Sequence, residues 1–317
     1  MSLESRWNAL TPSTETEVFQ LYDPTHPLDF YIGRDIQGQR LLLLVTSDQP
    51  PVSKELRAIR WQTFKRDDGK WSLVFRLTNT ELSPLFSLLC EDLIECGRRI
   101  PDPTRPIGPL MKRFYNWQRM LEKGHFGLLQ ESELRGLCGE LVALERVMVP
   151  ALGLLESVRS WVGQESADQD FQIADKAWEV KTIRSDSKAV RISSEDQLCS
   201  ISRSIQLLVV QLDERLAGEL GVFTPNELVV RIRALLEPDP DALDIFDQRL
   251  LSAGYVVRPE YDQRFFLVAR IHGYRVDENF PHIRRSMLMP GVAKVTYDVS
   301  LEACKPFLLE KLPVVEG

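Results

Sequence analysis

The sequence predicts a mixed α/β fold in which a β-rich N-terminal domain precedes a core of helices and strands. Two observations predict this class. The first hundred residues contain mainly short apolar segments separated by turns, including an Asp68-Gly69 pair that favours a β-hairpin. From Ser132 onward, a helical pattern, several short strands, a helix start and a continuous apolar strand follow in that order. The sequence contains no Gly-rich phosphate-binding pattern, so a nucleotide-binding fold is not indicated.

Strands dominate the N-terminal domain, which we place at residues 1–100. Apolar segments predict strands at 29–32, 40–45, 56–64 and 71–77, and leucines at helical spacing predict a helix over 80–99. Four prolines between 101 and 109 mark a break in the pattern. We therefore predict a linker and helical connection at 101–130, followed by a second domain at 131–317 that ends in an α/β extension.

The second domain begins with an amphipathic helix at about 132–148, in which Gly136 and Gly139 would let the helix approach a sheet closely. Strands are predicted at 160–162, 171–173, 177–183 and 189–192, and a helix start at Ser193. The continuous apolar run 205–212 is typical of a central strand. Helices at 225–236 and 240–253 and strands at 265–271 and 292–299 complete the order.

Composition and charge narrow the function classes. Of the 317 residues, 44% are hydrophobic and 27% are charged, which is typical of a folded globular protein. The net charge of −7 excludes a uniformly basic surface but is compatible with a local basic groove. Five cysteines without paired spacing indicate a reducing compartment, and four scattered histidines give no support for a zinc site. Because the apolar runs are short and the N-terminus lacks a signal pattern, we expect a cytoplasmic protein with no membrane partner.

The segment 168–181 carries the residues that indicate chemistry. Along its two predicted strands, apolar residues take one face, while Asp170 on the first strand and Glu179 and Lys181 on the second take the other. A hairpin centred on residues 174–175 would place Asp170 directly across from Glu179, with Cβ atoms about 4.5–5.5 Å apart. Two carboxylates at that distance repel each other, so a neutralising cation is expected between them.

Magnesium is the cation that this pair favours, because Mg²⁺ binds oxygen ligands and typically takes one or two protein carboxylates. We predict that Asp170 and Glu179 bind the metal and that the carbonyl of Val180 adds a ligand. Lys181 would then orient an attacking water or help to deprotonate it. Two alternatives stay open: a Glu-Val-Lys alternation is also typical of a solvated strand face, and Asp168 is a rival ligand to Asp170.

Four pieces of the sequence point to one family: 136–141 (GLCGEL), Asp170-Phe171, Glu179-Val180-Lys181 and 192–198 (ISSEDQL). Together they resemble the PD-(D/E)XK nuclease superfamily and, more narrowly, a bacterial family assigned to it. The resemblance implies a restriction-endonuclease-like core that uses Mg²⁺, with Mn²⁺ as an alternative. It also implies that Glu140 brings a helix carboxylate to the metal and that Gln197 contacts the phosphate or orients the metal water. Gln169 stands where the family motif has proline.

Two basic clusters are candidate contacts to nucleic acid. Residues 97–123 carry seven basic residues against two acids, with aromatic residues interleaved, and Lys112 and Arg113 lie near the centre of this stretch. The second cluster follows the Glu-Val-Lys strand and is placed to guide a nucleic-acid strand towards the metal; it consists of Arg184, Lys188 and Arg191. An ordinary solvated surface remains the alternative for the first cluster.

These features predict a Mg²⁺-dependent DNA endonuclease that hydrolyses phosphodiester bonds. The resemblance further implies a role in restriction or anti-phage defence, beside methyltransferases or helicase-like ATPases, and a homodimer as one arrangement for cleavage. Two other functions stay open: a catalytically inactive DNA-binding or scaffolding subunit that retains the fold, and an RNA-cleaving enzyme. Metal affinity separates the first of these from a nuclease, and a comparison of DNA with RNA separates the second.

Overall fold

The computed structural model describes residues 3–52, 59–79, 82–122, 127–163, 167–200, 202–292 and 294–309. Helices and sheets are mixed along the chain, which confirms the predicted α/β class. The chain divides into two compact units, Met1–Phe126 and Gly127–Gly317. Within the described ranges, no helix combines the length with the apolar composition that a membrane crossing requires.

An antiparallel sheet forms the centre of the first unit. Its strands are β1 (Val18–Leu21), β2 (Asp29–Arg34), β3 (Arg40–Thr46), β4 (Ile59–Lys65) and β5 (Trp71–Leu77), in the spatial order β1-β2-β3-β5-β4. The predicted hairpin at Asp68-Gly69 is confirmed, because β4 and β5 pair antiparallel around it. A second hairpin joins β2 and β3 at Gly38. Gly38 and Gly69 take φ of 77° and 80°, a left-handed conformation that glycine adopts without steric cost. The strand predicted at 56–64 begins at Ile59, and residues 56–58 lie outside the described ranges.

Among the described residues of the first unit there are three helices, α1 (Leu3–Ala9), α2 (Ser83–Arg98) and α3 (Ile107–Glu122). Helix α3 lies where a connection between domains was predicted. Its Phe114 ring packs against Trp61 of β4 with ring centroids 5.4 Å apart, and both residues are buried. The aromatic face of α3 therefore belongs to the core of the first unit. The unit boundary falls after Phe126, inside the predicted 101–130 connection, and the prolines of 101–109 lie between α2 and the first turn of α3.

The second unit mixes helices and strands. Its helices are α4 (Glu131–Ala143), which continues as a π-helical turn (Leu144–Met148), α5 (Val149–Leu152), α6 (Leu154–Ser160), α7 (Pro225–Leu236), α8 (Pro240–Ser252) and α9 (Leu301–Cys304). Its strands are β6 (Phe171–Ile173), β7 (Lys176–Ile183), β8 (Ala189–Ile192), β9 (Ser204–Glu214), β10 (Phe266–Val276) and β11 (Tyr297–Ser300). A 3₁₀ turn, Glu195–Leu198, stands where a helix start was predicted.

Four of these strands form one mixed sheet in the order β10-β9-β7-β6. Strands β7 and β9 run parallel, while β6 and β10 are antiparallel to their neighbours. Strands β8 and β11 form a separate antiparallel pair. The central strand β9 is the continuous apolar run predicted from the sequence, and its flanking strands shield it on both sides.

The two faces of the mixed sheet pack against different layers. Trp178 and Val180 of β7 belong to a core cluster with Leu137 and Leu141 of α4. On the opposite face, Leu207 and Val209 of β9 belong to a second cluster, which also contains Val190 and Ile192 of β8. Glu179 and Lys181 are in register with Leu207 and Val209. They therefore lie on the side of the sheet that faces β8 and the 3₁₀ turn.

Helix α4 approaches β7 closely at Gly139. A Cβ atom at this position would lie 1.8 Å from Thr182 Oγ1, so a larger residue cannot fit without displacing the strand or the helix. At Gly136 a Cβ atom would meet no other atom within 4 Å. The prediction of a close approach is thus confirmed for Gly139 and wrong for Gly136, which lies on a part of the helix that does not contact the sheet.

Candidate metal centre

The β6–β7 hairpin brings the predicted acidic residues together. Phe171 pairs with Trp178 and Ile173 with Lys176, which is the register predicted from the sequence. One residue further along this register, Asp170 lies across from Glu179 at the open end of the hairpin. The hairpin geometry thus brings two carboxylates to one position beside the central strands.

Asp170 is fixed by backbone contacts. Its Oδ2 accepts a hydrogen bond from the Val180 amide at 2.8 Å, and its carbonyl accepts from the amides of Val162 and Gly163 at 2.8 and 3.1 Å. A Cβ atom at Gly163 would lie 2.7 Å from Asp170 Oδ1, so the glycine gives this carboxylate its space. Burial raises the pKa of Asp170 to about 6, although the Val180 amide and the Lys181 charge act in the opposite direction.

Glu179 is almost completely buried, with 1% of its surface exposed. Its Oε1 lies 2.7 Å from the ammonium of Lys181. Its Oε2 is buried and has no hydrogen-bond partner among the described residues. Burial, followed by the charge of Asp170, raises the pKa of Glu179 well above its usual range. Because a buried oxygen without a partner costs stability, this atom has the properties expected of a metal ligand in the metal-free protein.

Lys181 is held from two sides. Besides Glu179, its ammonium contacts Gln197, donating to Oε1 at 3.0 Å. The same Gln197 oxygen accepts from the backbone amide of Ser193 at 2.8 Å, which fixes the orientation of its side chain. The structure therefore places Gln197 in the predicted site, where it positions the lysine. A direct contact of Gln197 with phosphate or water stays a prediction.

Glu140 lies on α4 and is oriented by an indole. Its Oε2 accepts a hydrogen bond from Trp161 Nε1 at 2.7 Å. Its negative charge contributes to the raised pKa of Glu179, so the two carboxyls lie within electrostatic range. Within the described ranges, however, no group of three or more His, Cys, Asp and Glu side chains is close enough to hold a metal. Direct ligation by Glu140 stays a prediction.

The remaining donors fit a divalent cation of the magnesium type. Asp170 and Glu179 supply two carboxylates, and the unsatisfied Glu179 oxygen has the charge and the hard-oxygen chemistry that Mg²⁺ prefers. Since the amide and carbonyl of one strand residue point to the same side, the Val180 carbonyl also faces the edge on which Asp170 lies. Asp168, the rival ligand, is exposed, so the structure favours Asp170.

Two further residues connect the site, and the sequence did not single them out. Gln169 is buried and donates from Nε2 to the carbonyls of Asp196 and Gln197, at 2.8 and 3.4 Å. It thus ties the strand that carries Asp170 to the turn that carries Gln197. Glu195, also buried, accepts from the Val295 amide at 3.2 Å. The sequence offered one signal for Gln169, because a polar residue stands there in place of the proline of the family motif.

The basic cluster after β7 is exposed. Arg184, Lys188 and Arg191 all lie at the surface around the connection from β7 to β8. Asp213 anchors this connection, because its carboxylate accepts from the Ser185 amide at 2.8 Å and from the Ser185 hydroxyl at 2.7 Å. Arg184 and Lys188 are therefore presented by an ordered connection, and Arg191 by strand β8. Contact with nucleic acid stays a prediction for each of them.

The structure corrects one residue of the first basic cluster. Arg113 is buried, and its guanidinium donates to both carboxylate oxygens of Asp92 at 2.6 Å. Trp117 donates to the same carboxylate at 2.7 Å. Arg113 therefore fastens α3 to α2 and is not available to a phosphate. Its neighbour Lys112 is exposed and stays a predicted contact.

In EDTA, we expect the free energy of unfolding of Asp170→Asn to increase relative to that of the unsubstituted protein as the pH rises from about 4 to 6. With a pKa of about 6, Asp170 keeps its proton in the folded protein at pH values where the unfolded chain has lost it. Rising pH therefore destabilises the folded state through this window, by at most about 3 kcal/mol, and asparagine does not titrate. Urea unfolding of both proteins at several pH values measures the difference. Parallel pH profiles would contradict the raised pKa.

A family match covers nearly the whole chain. The family model described as "Putative PD-(D/E)XK family member, (DUF4420)" matches residues 3–302. The chain belongs to this family. The match confirms the resemblance drawn from 136–198, and the DUF4420 description suggests a nuclease-like function. Comparison with curated proteins gives no match, and comparison with solved structures gives none either.

Proposed function

We propose that the chain is a divalent-metal-dependent endonuclease that hydrolyses phosphodiester bonds in DNA. Mg²⁺ is the proposed metal, with Mn²⁺ able to replace it. One observation carries the proposal: the buried Oε2 of Glu179 lacks a hydrogen-bond partner among the described residues, next to a second carboxylate whose charge raises the Glu179 pKa. Two carboxyl groups buried side by side, with one oxygen unpaired, cost stability that a bound cation would recover.

The proposed metal ligands are Asp170, Glu179 and the carbonyl of Val180. When bound, the ion would polarise the phosphate and lower the pKa of a water molecule. The Val180 amide holds one oxygen of Asp170, so this carboxylate is oriented before any metal arrives. Glu140, oriented by Trp161, supports the site through its charge and is the proposed further ligand.

Lys181 is the proposed partner of the attacking water. Contacts with Glu179 and Gln197 hold its ammonium beside the carboxylates. During hydrolysis the water oxygen bonds to phosphorus while the bond from phosphorus to the leaving oxygen breaks, and that oxygen takes up a proton. A fixed positive charge at this position orients the water and offsets the negative charge that develops on the phosphate.

DNA is the proposed substrate, approached along the exposed residues Arg184, Lys188 and Arg191. Restriction or phage defence is the proposed role, with methyltransferase or helicase-like ATPase partners and a homodimer as the cutting form. These parts rest on the family resemblance. RNA as the substrate is the alternative that a direct comparison of the two nucleic acids separates.

A catalytically inactive DNA-binding or scaffolding subunit is the second candidate, and one contact favours it. One oxygen of Glu179 is already neutralised by Lys181 at 2.7 Å, as expected of a site that has exchanged metal for an ion pair. Metal affinity separates the two functions. An inactive descendant would leave the thermal midpoint unchanged on addition of Mg²⁺ or Mn²⁺, whereas bound metal raises it.

The test of the proposed function is cleavage of plasmid and linear DNA by the purified full chain. We expect nicking in Mg²⁺ or Mn²⁺ and none in EDTA, with structured RNA of equal length left intact. The thermal midpoint in the same buffers reports metal binding independently. Absence of both cleavage and a metal-dependent thermal shift would overturn the proposal, and a shift without cleavage of DNA would direct the search to RNA.

A further inference from the structure

One surface loop beside the site combines basic and apolar side chains in an unusual way. The loop consists of residues 284–292, between β10 and β11, and we call it the 284–292 loop. The stretch 279–297 contains Arg284, Arg285 and Lys294 and no Asp or Glu, although the whole chain has a net charge of −7. Within it, the side chains of Met287 and Met289 are 63% and 75% exposed.

Two hydrogen-bonded turns give the loop a defined shape. The amide of Met287 donates to the Arg284 carbonyl at 2.9 Å, and the amide of Val292 donates to the Met289 carbonyl at 3.1 Å. Pro290 and Gly291, with a glycine φ of 93°, form the centre of the second turn, which has the residues expected of type II. A hydrogen-bonded backbone therefore holds both methionine side chains at the surface of the unit.

The loop is fastened to the turn that carries Gln197. Buried Glu195 accepts from Arg285 Nη1 at 3.0 Å and from the Val295 amide at 3.2 Å, so it holds both sides of the loop. Glu195 lies two residues before Gln197, which contacts Lys181 at 3.0 Å. The loop is thus connected, through Glu195 and the 3₁₀ turn, to the side chains of the candidate metal centre.

The side chains of the loop favour duplex DNA over a single strand. Three cations, Arg284, Arg285 and Lys294, stand against one acid that reaches the loop, Glu195, which pairs with Arg285, so the loop keeps an excess of positive charge that suits a polyanion. Single strands are generally bound by stacking bases on aromatic rings. Residues 284–292 contain no aromatic residue, and the rings that flank them, Phe280 and Tyr297, are buried and half-buried. Exposed methionines beside arginines are instead the side chains that groove-binding proteins insert between base steps of a duplex, which bends the DNA.

We infer that the 284–292 loop is a duplex-DNA contact that inserts Met287 and Met289 into the minor groove beside the cleaved phosphate, with Arg285 and Lys294 near the flanking phosphates. The inference rests on the proposed function, because it takes the DNA bound there as the substrate. It adds that the substrate is double-stranded and is bent when bound. Deformable steps such as TA in the contacted segment should strengthen binding.

The test compares two double variants by fluorescence anisotropy in Ca²⁺, with a 30-base-pair duplex and one of its single strands. Met287→Ser/Met289→Ser should weaken duplex binding by about tenfold or more, abolish DNA bending measured by energy transfer between end labels, and leave single-strand affinity unchanged. Leu216→Ser/Leu220→Ser is the control, because both leucines are exposed in the same unit, on the turn after β9. The duplex affinity of this control should stay within about twofold of that of the unsubstituted protein. This change is well below the tenfold loss expected of the methionine variant, which corresponds to about 1.4 kcal/mol.

The outcomes separate this inference from the nuclease proposal. Unchanged duplex affinity and bending in the methionine variant would overturn the inference, even if the protein cleaves DNA. Equal losses of affinity for the duplex and for the single strand would also overturn the inference. So would a lack of duplex binding by the unsubstituted protein, in which case a protein partner would be the occupant of the loop. Duplex binding that depends on the methionines, without cleavage in Mg²⁺ or Mn²⁺, would support the loop as a duplex contact and would exclude the proposed nuclease function.

Discussion

Replacement of Lys181 with alanine should lower the rate of Mg²⁺-dependent DNA cleavage by about 10²–10⁴-fold, the range expected when a group acting on the attacking water is lost. The structure gives the reason, because its ammonium is fixed between Glu179 Oε1 at 2.7 Å and Gln197 Oε1 at 3.0 Å. Alanine removes the charge and leaves both acceptors without this donor. The measurement is the single-turnover rate of plasmid nicking at saturating enzyme.

A second lysine on the same strand provides the matched control. Lys176 begins β7 and is exposed, so Lys176→Ala removes the same charge and side chain from the same strand outside the site. We expect its nicking rate to stay within about twofold, which corresponds to less than 0.5 kcal/mol in the activation free energy. Equal rates for the two variants would show that Lys181 has no part in the reaction, provided that their thermal midpoints agree with the unsubstituted protein.

Replacement of Gly139 with alanine should destabilise the second unit by about 1–3 kcal/mol, the usual effect of overpacking a tight contact. The new Cβ would lie 1.8 Å from Thr182 Oγ1 and 2.9 Å from Thr182 Cβ, so α4 and β7 must move apart. Both elements carry site residues, Glu140 and Glu179, and we therefore expect cleavage to fall as well. Urea unfolding followed by circular dichroism measures the stability change.

The same helix supplies an opposite control at Gly136. A Cβ there meets nothing within 4 Å, so Gly136→Ala should stabilise the protein by about 0.5–1 kcal/mol through helix propensity alone. Adding Thr182→Ala to the Gly139 variant removes the closest clashing atom and should restore part of the lost stability. Gly139→Ala with the stability of Gly136→Ala would contradict the close approach of α4 to β7.

The parts of the site that the sequence predicted are local. Asp170 and Glu179 belong to one hairpin, whose alternating pattern and short turn determine both the register and the face on which the acids lie. The contacts that the sequence did not reveal join distant segments. Gln169 reaches residues 27 and 28 positions away, and the Glu195 carboxylate accepts from an amide 100 positions away. A local sequence pattern cannot predict hydrogen bonds between segments so far apart in the chain.

The errors have the same physical origin. Arg113 looked like a phosphate contact because its neighbours in the sequence are basic, yet its partner Asp92 lies on another helix. Prolines mark the end of a helix as readily as the end of a domain, so they could not locate the unit boundary after Phe126 within the predicted 101–130 connection. The aromatic residues of α3, including Phe114, were interpreted with the basic cluster as contacts to nucleic acid, but Phe114 is buried and packs on β4.

The burial of Glu179 beside Lys181 also has a consequence for stability. A buried ion pair is often no more stabilising than apolar residues of similar volume, and replacing one can add about 1–4 kcal/mol of stability. Replacing Glu179 and Lys181 together with leucine and methionine should therefore leave the second unit at least as stable as it is now, although it removes both charges of the pair. The fold does not need charged side chains at these two positions of β7.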